Sequence, residues 1–181
     1  MVINRLHDKD LRVLKAETLR ALVDIRCIDR KVPVARVEAS AALLIEDELC
    51  HQPKELSPTR VASLVALAKA LTEDEECDVE ELEKAREYLM SALRFRQQWY
   101  GRRHPLVAET AHFLAIIYRR FGKFQDAIVY HHLAIAIYTM RYSAKNVITK
   151  ACVGALGITV AERGALEVRY ESCCRCCSRM T

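Results

Sequence analysis

Glycine and proline are scarce in this chain, 5 and 4 among 181 residues. Both interrupt regular elements, so their scarcity beside abundant Ala and Leu favours an all-helical protein over a turn-rich β fold. No apolar run approaches the roughly 20 residues that span a bilayer. Asp8 and Asp10 follow closely on Arg5, so the N-terminus has no signal-peptide core, and a cytoplasmic protein is expected. A dominant charge sign is missing too: the net charge is +4, with acidic and basic residues mixed. That is not the footprint of a dedicated nucleic-acid binder. The chain also lacks a Gly-rich phosphate loop, a His-Glu-x-x-His pair and a Gly-x-Ser-x-Gly elbow. Nothing argues for an enzyme, and no catalytic residue, metal ligand or cofactor is assigned.

What is present is helical periodicity. His104-Pro105 opens a helix, since proline is tolerated in a first turn whose N–H groups have no intrahelical partner. Val107, Ala111, Leu114, Ala115 and Tyr118 follow at the spacing of one buried face. Gly122 ends that helix. A second helix starts at once, with Phe124, Ala127, Ile128, His131, Ala134, Ile135 and Tyr138 along its inner side. Two helices joined by a short Gly turn, with Ala at the crossing, form an αα-hairpin.

The hairpin recurs. Leu82, Ala85, Tyr88 and Ala92 lie 42 residues before Phe124, Ala127, Tyr130 and Ala134, and Leu156 and Gly164 lie 42 after Leu114 and Gly122. Upstream, Ser57-Pro58 precedes Val61, Leu64, Leu67, Ala68 and Leu71 as His104-Pro105 precedes its own run, with extra residues in the acidic turn Thr72 to Asp78. A period of this size signals an α-solenoid of stacked antiparallel hairpins, about three to four of them. The expected organisation is an N-terminal hairpin (1–56), repeats at 57–97, 98–140 and 141–177, and a tail, 178–181.

The stretch around the best hairpin resembles a tetratricopeptide repeat of the longer type found in kinesin light chains. The likeness rests on Tyr100-Gly101, His104-Pro105, Val107-Ala108, Thr110, Leu114-Ala115, Tyr118, Gly122-Lys123, Asp126-Ala127 and Ala134-Ile135. It is specific over 92–138, fair over 57–91 and weak over 143–177, where Arg169 replaces a small residue. His112-Phe113 stands where the family usually has an Asn pair, a departure in the part that grips an extended peptide. The resemblance implies an adaptor or scaffold that binds other proteins without catalysis.

Upstream of the repeats, Leu11, Leu14, Leu19, Leu22, Val23 and Ile25 predict a helix over Leu6 to Ile28. A break near Pro33 follows, then a helix over Val34 to Leu49 carrying Val37, Ala41, Leu44 and Ile45. This pair is either a degenerate repeat or a cap. The acidic run Glu73 to Glu83 has no Gly and no alternating ligands, unlike a calcium loop, and reads as a solvated turn entering a helix N-terminus.

Four of the 8 cysteines are scattered. The others, Cys173, Cys174, Cys176 and Cys177, admit three readings. Zinc needs four converging thiolates, which adjacent cysteines supply badly. Acylation would tether the chain to a membrane with help from nearby Arg residues. The repeat register favours the third, in which Cys173 and Cys176 sit on the inner side of a final helix.

For binding, the first helix of each hairpin lines the concave wall of a solenoid. Its groove-facing residues in the best repeat are Glu109, His112, Ile116, Arg119 and Arg120. Arg there can pair in a forked geometry with carboxylates of an acidic peptide or helix from another protein. The chain is expected to be a monomer or to self-associate weakly, with stacking through an open C-terminal repeat as the alternative.

Overall fold

Local capping chemistry sets the helix boundaries in the computed structural model. It describes residues 2–49 and 56–177, with side chains over 9–49 and 56–166. Among these residues lie seven helices and no strand: α1 (Val2–Ile28), α2 (Val32–Leu49), α3 (Pro58–Glu73), α4 (Val79–Tyr100), α5 (Pro105–Arg120), α6 (Phe124–Tyr142) and α7 (Val147–Cys177). Ser57, Asp78 and His104 are the N-caps of α3, α4 and α5, each accepting a backbone N–H with its side chain. Pro58 and Pro105 follow two of those caps in the first turn, where a missing N–H costs nothing. Gly122 takes φ 70°, and the Gly122 and Lys123 amides return to the Arg119 and Tyr118 carbonyls, closing α5.

The chain divides into two compact units, 1–102 and 103–181. In the first, α1 and α2 form an antiparallel hairpin, α3 packs on both, and α4 packs on α3. One cluster of its core is Val23, Ala35, Ala39 and Ala70, with Cys27, Ala66 and Leu67 against it. Of the apolar residues whose spacing predicts these helices, Leu11, Leu14, Ile25, Val37 and Leu44 are exposed. Both helices are apolar on two faces, and the structure buries the Ala-rich face of α2 because small side chains let helix axes approach closely. A buried polar knot ties this unit together: Arg20 donates to Glu46 at 2.9 Å and to Ser63 at 3.0 Å, and Thr59 donates to Glu46 at 2.9 Å. The acidic run behaves as a turn: Asp78 caps α4, Glu80 and Glu81 sit in its first turn, and Arg36 bridges Asp74 and Glu81.

In the second unit α5 and α6 form an antiparallel hairpin and α7 packs on both. Tyr118 and Tyr130 stack across the hairpin with ring centroids 5.3 Å apart. His131 is packed inside while its neighbour His132 is exposed. Ile137, not Ile135, is the buried isoleucine of α6. Residues 147–177 run as one helix where a hairpin is expected. Gly164 does not turn the chain; a mid-helix glycine costs about 1 kcal/mol relative to alanine, which continuous helix hydrogen bonding can absorb. The side chains of Cys173, Cys174, Cys176 and Cys177 and the tail 178–181 lie outside the described residues.

Ala127 and Ala134 are fully buried in α6. Ala127→Leu and Ala134→Leu are therefore expected to cost roughly 1–3 kcal/mol each through overpacking. Thermal melts indistinguishable from the parent for both variants would displace the hairpin register.

Candidate functional site

The helical period places Glu109, His112, Ile116, Arg119 and Arg120 within a sector of about 100° on α5. The rest of the helix is committed to packing, with Val107, Ala108, Ala111, Leu114 and Ala115 buried. None of the five is buried and none is fully exposed. They share a face but divide into two sets.

His112 and Arg119 occupy the edge that meets α7. Arg119 donates through Nη1 to Glu162 at 2.7 Å. The His112 Nδ1 lies 3.4 Å from the Cys152 Sγ. Burial pushes the Cys152 thiol up to about 11, so it keeps its proton. Glu109, Ile116 and Arg120 form the other, half-open set, away from that edge. Beneath His112 lies His131, the two rings 5.6 Å apart. The Thr159 hydroxyl donates its single proton to the Ala155 carbonyl at 2.9 Å, so His131 must donate through Nε2 to Thr159 Oγ1, at 3.2 Å. That leaves His131 Nδ1 buried with no hydrogen-bond partner. Desolvation, then the charges of His112, Arg119 and His132, lower the His131 pKa to about 4.

A Cys beside a His invites a catalytic reading, but the chemistry runs against it. A nucleophilic Cys needs a depressed pKa and partial exposure. Cys152 has neither, being buried and shifted upward. Among the described residues no cluster of three or more His, Cys, Asp or Glu is arranged to hold a metal. No helix among them is long and apolar enough to cross a membrane. What the arrangement can do is present a half-open polar strip, with Arg119 and Arg120 at the carbonyl end of α5.

The sequence reading groups the five α5 residues on one face, as the helix does, and misses the α7 residues that His112 and Arg119 meet. Cys152 and Glu162 lie 40 and 43 residues beyond His112 and Arg119, close to one repeat period. Extending the 42-residue register across the strip is the signal that would have found them.

Comparison with known proteins agrees with this architecture. The tetratricopeptide repeat family matches residues 76–140. Among solved structures, BtubC (BKLC) from P. vanneervenii superposes with a TM-score of 0.64 at 20% sequence identity, over 88% of this chain and 60% of that one. Identity that low speaks for the fold alone, and this chain spans about 60% of that chain's length. The search of curated proteins found no match. The chain is an all-α helical-repeat protein. Over residues 76–140 it is similar to tetratricopeptide repeats.

Proposed function

We propose that the chain is a non-catalytic protein-interaction module that holds an acidic peptide or helix of another protein against the polar face of α5. Tetratricopeptide repeats generally mediate protein–protein interaction, and the observation that carries the finer reading is the Arg119–Glu162 pair. The Arg119 side chain stays 28% exposed while holding that carboxylate, which supports a reading of the strip as a place for a carboxylate partner. A guanidinium has five N–H donors, so one carboxylate does not exhaust it. Ile116 lies between the charged residues and offers an apolar anchor. Binding by rim charges of this kind acts mostly on association rate and weakens with salt.

The test uses two fluorescent synthetic peptides of equal length, one alternating Glu with Leu and one alternating Lys with Leu. Anisotropy is expected to show binding of the acidic peptide only, weakening as salt rises. Arg120→Gln is expected to reduce affinity about fivefold, as for a partly exposed charge pair, without moving the melting temperature. Equal binding of both peptides, or an unchanged affinity for Arg120→Gln, would place the interface elsewhere.

A further inference from the structure

We propose that this chain associates with a second copy of itself head to tail, the outer face of α7 in one copy docking into a groove on α2 of the next. The α7 face calls for a partner on three counts. From Val147 to Ala161 its only charged residue is Lys150, and a helix apolar all round belongs in an interior. Yet Val147 is 79% and Ile158 55% exposed. The exposed positions Val147, Ala151, Gly154, Ile158 and Ala161 alternate steps of four and three, the seam of a helix that packs along another helix. Glycine at 154 lowers helix stability, and packing among the described residues does not call for it, since a Cβ added there would meet no atom within 4 Å. A glycine on an exposed seam suits the close approach of another backbone.

The complementary face is on α2. Val34, Val37 and Leu44 are exposed and Ala41 is half-buried, at steps of three, four and three. Pro33, Val37, Ala41 and Leu44 form the apolar side of a groove of about 710 Å³ whose other side is polar, with Arg36, Asp74 and Glu76. At the rise of a helix, Val34 to Leu44 and Val147 to Ile158 each extend roughly 15 Å, so the two seams match in length. Their charges are opposite. The exposed carboxylates Glu73, Glu75 and Glu76 outnumber Arg30 around a cavity that shares Pro33 and Glu76 with the groove, at the N-terminal end of α2. Exposed Arg141, Lys145 and Lys150 stand around the start of α7. Pairing α7 with α2 brings the two signs together, whereas pairing either face with its own copy does not favour the contact in this way. A contact between two different faces is heterologous, so each copy keeps one face free and assembly can continue into a ring or a filament.

Light scattering on the full chain across a concentration series tests this. The parent is expected to gain mass with concentration and to lose it at high salt. Leu44→Glu and Ile158→Glu should each weaken association by more than about tenfold, because each buries a charge in the seam. Mixed together they should form a 1:1 dimer, since each retains the face that the other has lost. Lys150→Glu should weaken association about fivefold at low salt, and adding Glu76→Lys to the same chain should restore it. The charge pair reads the interface even if an apolar-to-Glu variant fails to fold. A parent that stays monomeric throughout, folded variants that stay monomeric when mixed, or no rescue by Glu76→Lys would overturn the proposal.

Discussion

Replacing Glu46 with alanine is expected to destabilise the α1–α4 unit by roughly 3–5 kcal/mol, as breaking one half of a buried ion pair does. Glu46 and Arg20 are 6% and 14% exposed, with N···O 2.9 Å. Each carboxylate oxygen is used, one by Arg20 and the other by Thr59, and Arg20 also reaches Ser63. Alanine would leave the guanidinium in a site with little water, short of its counter-charge. Arg12–Glu48 provides an internal comparison on the same two helices, with both side chains largely exposed. Glu48→Ala is therefore expected to stay within about 1 kcal/mol. A domain has only about 5–15 kcal/mol in hand, so Glu46→Ala should also strip hydrogen-exchange protection from α1, α2 and α3. The Arg20→Leu, Glu46→Leu double variant should recover much of the loss, because it removes both charges from the interior. Equal melts for Glu46→Ala and Glu48→Ala would show that the knot does not carry this load.

The elements set by short-range chemistry are the ones a reader of the sequence can place. His104-Pro105 and Gly122 bound α5 because a cap, a proline and a positive-φ glycine act within a few residues. The all-helical repeat fold follows from the same regularities multiplied. Choices between two apolar faces are of another kind. Nothing local tells α2 to bury Ala35, Ala39 and Ala42 and to expose Val37 and Leu44; that is decided by how closely α1 and α3 can approach. The burial of Glu46 is equally remote, depending on Arg20 26 residues earlier in the chain. At Gly164 the periodic register favours a turn, but a glycine alone does not break a helix. The α5 strip was legible in part for the same reason. Its own face repeats every turn, while Cys152 and Glu162 become visible only when one repeat is laid on the next.

The second unit should lose about 3 kcal/mol of stability as pH falls from about 6.5 to 4, through His131 alone. Its folded pKa is lowered to about 4 from 6.5, chiefly by desolvation. Between those values the unfolded chain takes up a proton that the folded unit refuses, so the contribution is complete above about pH 6.5 and flat again below about pH 4. The groups that face His131 oppose protonation rather than assist it. His112 and Arg119 on α5 and His132 on its own helix are positive or able to become so, and all three lower the pKa. From α7 come Thr159, which accepts the Nε2 proton, and the Cys152 thiol against His112, held neutral by its raised pKa; Glu162 is already paired with Arg119. No carboxylate among these bonds to His131, whose Nδ1 has no hydrogen-bond partner. Hydrogen exchange on peptides from α5 to α7, followed against pH, should show this loss as earlier opening of the unit. His131→Leu gives up the bond to Thr159, worth about 1 kcal/mol, and should be the less stable chain at neutral pH. It has no imidazole to charge, however, so its stability should change less between about pH 6.5 and 4, and the two curves should cross at about pH 6. His132→Ala, at the exposed neighbouring position, should keep the parent's slope. Parallel curves for the parent and His131→Leu across that window would show that His131 does not hold the acid sensitivity of this unit.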